Sequence, residues 1–542
     1  MDPMYDYVIV GAGAAGAALA NRLSQDPYTT VALLEAGPAA RKLEITLPAA
    51  FAKLFGTRYD WDYRTDPQAG LAGRELRWPR GRTLGGSTAI NAQMWVRGCR
   101  ADYTAWEAVA GAQWGFEAAR ARYQRIERSE RGANPWRGGD GPLPVSEQRD
   151  PNPMTLAFLA AAQQCGIARS DDVNGPRHEG VDLTQVTQRR GRRVSAADAY
   201  LTPARRRPNL TVVTSAQATG VLFDGRTAIG VAYRRRSAPH AVAARREVIL
   251  CGGAVNTPQL LLLSGIGPAA QLRSLGLPVL VDSPEVGENL ADHLAAGVVA
   301  LNPPERPSSL VGADSPRQLL RWLLTRRGPL SSNVAEALAF VRTDPALPAA
   351  DLELLFAPAP FLDHGQTEPP GHGLTVGAIL LQPTSRGALR LRSSDPLVAP
   401  AIAPNYLSDP GGADLATLVA GVKLARRVLA APALAGYVGE ELLPGAAVQG
   451  DDAIAAYVRA RAETLYHPVG TARMGRDEAS VVDPELRVRG VEGLRVADAS
   501  VMPALNRGHT MAPAVLIGET AADLILGRAA APRPGSGAYA GW

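Results

Sequence analysis

The sequence predicts an α/β protein, α+β overall: a Rossmann-type domain joined to a second domain built on an antiparallel sheet flanked by helices. Three observations carry the prediction. Residues 5–35 read as strand, glycine turn, helix, strand and terminal acid. Residues 246–264 again run from an apolar strand through glycines into an apolar helix. From about 300 to 460 the pattern changes to short strands, proline-rich links and helices. Alternating strands and helices mark a parallel sheet, whereas runs of short strands mark an antiparallel one.

In order along the chain, 5–10 (Tyr-Asp-Tyr-Val-Ile-Val) suits a buried parallel strand, and Gly11 to Gly16 leads into an alanine-rich helix ending near Ser24. A second strand, 30–34, ends at Glu35. Residues 37–105 are irregular and rich in Gly, Pro, Arg and Trp, and a loop that long is usually functional or a linker. A charged helix is expected over 116–131, a boundary at 132–144 and a helix over 153–166. Short strands follow at 209–214, 219–223 and 228–233, then a strand at 246–251 and a helix at 258–264. Further strands are expected at 338–342, 352–356, 374–382 and 388–392, with helices near 413–431 and 451–462. Strands at 485–488 and 493–497 precede a strong final helix, 513–526.

Composition excludes several classes. The 542 residues allow two to four domains at about 150 residues each. Hydrophobic residues at 46% and charged residues at 20% describe a globular chain. No apolar run approaches the ~20 residues of a membrane helix, so no transmembrane segment is expected. The net charge of +5 is carried by arginine, since lysine stands only at 42, 53 and 423. The clusters Arg189-Arg190, Arg192-Arg193, Arg205–Arg207 and Arg234–Arg236 read as solvated arginines balanced by 52 acidic residues. No nucleic-acid motif accompanies them, so no nucleic-acid partner is expected. Cys99, Cys165 and Cys251 suit neither a disulfide framework nor a metal site. The apolar segment from Val8 to Ala20 follows Asp2 and Asp6, not positive residues, and glycines interrupt it. It is read as fold, not secretory signal, and a cytoplasmic location is expected.

Gly11-Ala12-Gly13-Ala14-Ala15-Gly16, between strand and helix, is a dinucleotide-binding fingerprint. Gly11 permits the tight turn, Gly13 lets backbone approach a pyrophosphate, and Gly16 lets the helix lie close to the strand. The helix N-terminus favours anionic phosphates, and Glu35, 22 residues after Gly13, can accept hydrogen bonds from a ribose.

Residues 80–98, Arg-Gly-Arg-Thr-Leu-Gly-Gly-Ser-Thr-Ala-Ile-Asn-Ala-Gln-Met-Trp-Val-Arg-Gly, resemble the first signature of the glucose–methanol–choline (GMC) flavoprotein oxidoreductases. Residues 253–267 resemble the second, and Val286 to His293 the link after it. Residues 466–475 (Tyr-His-Pro-Val-Gly-Thr-Ala-Arg-Met-Gly) and 494–503 resemble the C-terminal motifs. The branches most similar are the bacterial alcohol/choline dehydrogenase-like and aryl-alcohol oxidase-like ones. The resemblance implies FAD, bound non-covalently, because Ile90 stands where some relatives tether flavin through histidine. It implies that Ala14, Ala15, Ala36, Gly81, Gly85, Gly86, Ser87, Asn91 and Ala92 join the fingerprint residues around the cofactor. Ala218 matches a position beside adenine, Asp498 and Ala499 positions near the ribityl chain and pyrophosphate, and Thr510 and Met511 positions at the flavin edge. Met511 replaces the more usual asparagine.

By resemblance the chemistry rests on two histidines. His467 matches the family's proton-handling histidine, and His509 the second active-site position, which is asparagine in some relatives. Neutral imidazole suits removal of an alcohol proton near neutral pH. His178, His240, His364 and His372 sit in polar, loop-like contexts and are left as structural. The implied reaction is oxidation of a primary alcohol, aliphatic or aryl, to the aldehyde. Its electrons pass to oxygen or to a quinone-type acceptor. The alternative on this scaffold is a hydroxynitrile lyase with structural FAD. Ala335-Glu336 replaces the choline branch's pattern and argues against a quaternary ammonium substrate; Trp95, Phe356 and Phe361 are candidate pocket residues. The FAD domain is expected from 1–145, 190–300 and 463–527, the substrate domain from 146–189 and 301–462, and a flexible tail over 528–542.

Overall fold

The computed structural model describes residues 3–528; the tail expected from 528 onward therefore lies, past Arg528, outside the described residues. The first sheet has the order Leu210–Thr214, Val31–Glu35, Met4–Val10, Ala238–Leu250, Thr227–Arg235 and Ala216–Asp224. The first four pair in parallel, and Leu494–Val496 also joins Ala238–Leu250 in parallel. Val31–Glu35 is buried at every position, as a parallel strand covered on both faces must be. The helices Ala14–Leu23 and Met511–Ile525 pack against each other. Met511–Ile525 is buried throughout its first thirteen residues, which accounts for its unbroken apolar run. Its two inward acids are paired: Glu519 with Arg22 and Arg125, and Asp523 with Arg122 and Arg125.

The second sheet is antiparallel, in the order Glu441–Leu443, Leu294–Leu301, Gly373–Leu380, Leu352–Ala357, Ala337–Val341 and Gly180–Leu183. One face carries Leu354, Phe356, Val376 and Ala378 beneath the helices Ala413–Leu429 and Pro153–Gln164. Phe356 stacks on Phe158 at 4.7 Å, and Gly421 lies so near that a Cβ would sit 2.7 Å from the Ala378 methyl. Successive strand residues point to opposite faces. Ala295, Gly297, Val299, Leu355, Ala357, Thr375, Gly377 and Ile379 therefore form the other face, toward the first sheet.

Several expectations are corrected. Leu294–Leu301 and Glu463–Thr464 pair within the second sheet, although the sequence boundaries put 294–300 and 463–464 in the first domain. The helix expected over 116–131 ends at Ile126, where Glu127–Ser129 turns into a strand beside Leu143–Val145. The helix expected over 258–264 spans Gly253–Leu263. Residues 485–488 form no strand; Arg487 and Val488 make only isolated bridges. No helix among the described residues is long and apolar enough to cross a membrane.

Candidate active site

A cavity of about 960 Å³ lies between the two sheets, at the carboxyl ends of the parallel strands. Open parallel sheets bind ligands there because the chain reverses direction and leaves a crevice. Gly11, at φ +103°, makes the turn out of the first strand, and a Cβ there would lie 2.3 Å from the Cys251 carbonyl oxygen. A Cβ on Gly16 would lie 2.0 Å from the Gly11 carbonyl oxygen, so the helix can sit this close only with glycine. Nothing stands within 4 Å of the same point on Gly13. No side chain caps the helix that follows, and Gly13, Ala14 and Ala15 line the cavity. Uncapped first-turn amides beside open space form an anion cradle.

The 80–98 loop closes over this cradle. Gly86, at φ +52°, brings its backbone so near that a Cβ would lie 2.8 Å from Gly13 Cα. Gly81 in turn crosses behind Gly86, with a Cβ position 2.2 Å from the Gly86 carbonyl carbon. Gly81, Gly86, Ser87, Asn91 and Ala92 line the cavity, as do Glu35, Ala36, Ala218, Asp498, Ala499, Thr510 and Met511. Gly16 and Gly85 do not; they let backbone pass behind the wall, and the Gly85 N–H donates to Ala12 O at 2.8 Å.

Glu35 accepts the N–H of Ala12 at 3.0 Å and that of Gly37 at 2.8 Å. Burial pushes its carboxyl up to about 7 against those two donors. Asp498 lines the cavity, but its carboxylate is committed to protein: Oδ2 accepts from Gly253 N–H and the Thr257 hydroxyl, and Oδ1 from Ser500. It pins the start of the Gly253–Leu263 helix to the 499–501 turn. Asn91 donates to the Met511 sulfur at 3.3 Å and accepts from Arg193 at 2.8 Å. Arg193 belongs to a cluster read as solvated, yet it is 2% exposed and also holds the Ile45 and Thr88 carbonyls. Burial draws its guanidinium down to about 9.

His467 and His509 meet at the cavity wall, rings edge-to-face with centroids 4.9 Å apart. Behind His467 stands a third histidine that the sequence reading passed over. His293 Nε2 lies 3.1 Å from the Leu381 carbonyl oxygen, and its Nδ1 lies 2.9 Å from His467 Nδ1. A carbonyl only accepts, so His293 carries its proton on Nε2. Burial first, and the neighbouring His509 ring second, push His293 down to about 3, so the ring is neutral and its Nδ1 is a bare acceptor. His467 must then donate from Nδ1, and its lone pair is left on Nε2. That nitrogen has no protein partner among the described residues and opens onto the cavity. Burial, aided by His509, His293 and Arg80, holds His467 well below the usual histidine range, so it too is neutral.

The backbone of His467 is anchored separately. Its N–H donates to Asp292 at 2.6 Å, and the same carboxylate accepts from Thr464 and from the Tyr406 hydroxyl. His509 Nε2 lies 3.1 Å from Glu353, a carboxylate with no exposed surface. His293 and Asp292 lie inside the quoted 286–293 segment, and Glu353 is an acid within an apolar strand. Those were the available signals. His364, read as a loop residue, is buried in the cavity wall between the Tyr466 hydroxyl at 2.6 Å and Glu463 at 3.1 Å.

The aliphatic face of the second sheet roofs the site, and Phe51, Phe55, Phe361 and Tyr466 close one side. Phe361 lines the cavity as expected, but Phe356 faces the helices and Trp95 is buried with its indole N–H on Glu127. Ala335 lines the cavity, whereas Glu336 turns away to Thr155, Ser332 and the Asn152 N–H.

Profiles described as GMC oxidoreductase match residues 5–295 and 383–518. A GMC-type oxidoreductase of Mycobacterium tuberculosis, itself uncharacterized, is 52% identical over 97% of this chain and 100% of its own length. An alcohol dehydrogenase [acceptor] of Pseudomonas putida is 45% identical over 96% of each chain. The solved structure of an Aspergillus oryzae formate oxidase, studied for modification of its FAD, superposes with TM-score 0.90 at 29% identity. It covers 97% of this chain and 99% of the other.

Proposed function

The chain belongs to the GMC oxidoreductase family, and from that premise we propose that it oxidises a primary alcohol, aliphatic or aryl, to the aldehyde. FAD is its cofactor, and the glycine cradle, the uncapped helix start and the cavity volume fit it. FAD supplies, when bound, the acceptor for the hydride leaving the carbinol carbon. We assign its non-covalent binding to the cavity-lining residues above, since Ile90 offers no nucleophile. The protein's own part is the hydroxyl proton. His467 Nε2, neutral and unpartnered, accepts it; His509, held by Glu353, orients the substrate oxygen from the neighbouring edge. The buried wall keeps water from competing for either nitrogen. The positive end of the Met511–Ile525 helix opens on the same cavity and favours negative charge there.

The observation that carries this reading is the carbonyl–His293–His467 chain, which leaves a base aimed into an apolar cavity. The aliphatic roof supports an uncharged substrate, and Glu336 faces away from where a quaternary ammonium group would sit. The electron acceptor is oxygen or a quinone-type molecule. Three free cysteines support a reducing, cytoplasmic location. The test is anaerobic bleaching of the flavin band by a panel of primary alcohols, then readmission of air. Bleaching by an aliphatic or aryl alcohol supports the reading, and the speed of recovery in air separates the two acceptors. A properly bound flavin that no alcohol bleaches would overturn it.

A further inference from the structure

The helix Pro316–Thr325 leaves three leucines in water: Leu320, Leu323 and Leu324 are 57%, 46% and 76% exposed. Their i, i+3, i+4 spacing puts them on one face. Single surface leucines are ordinary, whereas a contiguous trio marks an interaction surface. The opposite side of the helix is seated normally, with Trp322 and Leu319 against Leu47, Ala50 and Leu330.

Cations rim this face. Arg317 and Arg321 are exposed on the helix itself, and Arg327 follows it. The Trp322 indole donates to the Gly191 carbonyl at 2.8 Å, which ties in the hairpin carrying the exposed Arg189, Arg190 and Arg192. Arg189, Arg190, Arg192 and Arg317 make no ion pair among the described residues. The nearby acids are already engaged: Asp150 with Arg327, Arg321 and the Gly328 N–H, and Asp314 with Lys53.

The patch also adjoins the cavity wall. The helix rests on Pro48–Leu54, whose Phe51 lines the cavity. The Ala52 carbonyl of that segment takes a hydrogen bond from Gln366, in the 363–370 stretch that forms more of the same wall.

We propose that this face docks on an anionic lipid bilayer, with the leucines at the acyl boundary and the arginines among the phosphates. An amphipathic helix with a basic border binds in the interface plane in this way. A second copy of the chain fits worse, because two-fold pairing would set arginines against arginines. Docking brings the cavity wall to the bilayer, where lipophilic alcohols and quinones dissolve. The surface stands whatever the substrate proves to be.

The FAD-loaded full chain is floated with phosphatidylcholine vesicles, with and without phosphatidylglycerol. Flotation is expected with the anionic vesicles alone, and high salt should weaken it. The triple variant Leu320→Ser, Leu323→Ser, Leu324→Ser should stay at the bottom. Each of Arg189→Glu, Arg192→Glu and Arg317→Glu should lower affinity roughly fivefold or more. Flavin absorbance and far-UV circular dichroism confirm that the variants are folded. Failure of the wild type to float, equal flotation on both vesicle types, or undiminished flotation of the serine variant overturns the proposal. So does a wild-type dimer that the serine variant splits, which would make the face a subunit interface.

Discussion

Replacing His293 by Phe keeps an aromatic ring but deletes two buried contacts, one to His467 Nδ1 at 2.9 Å and one to Leu381 O at 3.1 Å. An unsatisfied buried polar group costs about 1–3 kcal/mol. The Leu381 carbonyl still accepts from the Gln382 side-chain amide at 2.9 Å, so the His467 Nδ1–H alone is left unpaired and global stability falls by ~1–3 kcal/mol, readable in denaturant unfolding. The catalytic effect comes from the His467 side alone. With Nδ1–H unpaired, the ring gains about 1–3 kcal/mol by moving that proton to Nε2, where the cavity can accept it. At about 1.4 kcal/mol per factor of ten, the fraction of His467 with a free Nε2 lone pair falls ~5- to 150-fold. The rate of flavin reduction should fall by the same factor in an anaerobic stopped-flow experiment, with the flavin-to-protein ratio unchanged. His293→Asn carries both an acceptor and a donor and should recover part of the loss. A Phe variant that reduces its flavin at the wild-type rate refutes the tautomer argument. An Asn variant as slow as the Phe one reduces His293 to a packing role.

Four further outcomes follow from the same geometry. His467→Ala should slow flavin reduction by about 10²–10⁴-fold while FAD stays bound, measured by single turnover and absorbance. A histidine held below its usual range keeps its lone pair as pH falls through about 6.5, so kcat/KM should stay level from about pH 8 to about pH 6; an acid limb beginning above 6.5 contradicts this. Gly86→Ala forces a left-handed backbone on a Cβ 2.8 Å from Gly13 Cα, and FAD titration should show affinity lowered at least ~tenfold. Gly297→Val adds bulk where a Cβ meets nothing nearer than Thr375 at 3.6 Å. The protein should fold, and kcat/KM for the longest alcohols should drop roughly 10- to 200-fold relative to the shortest.

Much of the site was legible in the chain because its signals are local. The glycine fingerprint states a backbone demand within six residues, and sterics at Gly11 and Gly16 enforce it wherever the strand and helix meet. His467 and His509 were singled out only by the resemblance of their segments to a family pattern, and the structure brings both to the cavity wall. The second sheet was legible as short strands, but Leu294–Leu301 was not among those expected, and only its pairing with Gly373–Leu380 and Glu441–Leu443 places it.

What the sequence by itself determined, then, was the kind of ligand cradle and the pair of histidines that face it. The tertiary structure alone decided which nitrogen of His467 keeps a free lone pair toward the cavity. That choice passes through His293, 174 residues away in the chain, and His509 is steadied by Glu353, 156 residues away. Likewise Arg193 became a buried strut and Glu336 turned outward from the cavity, by strand register and burial. Short-range sterics are written in neighbouring residues; hydrogen bonds between distant strands exist only once the sheets have set their register and excluded water.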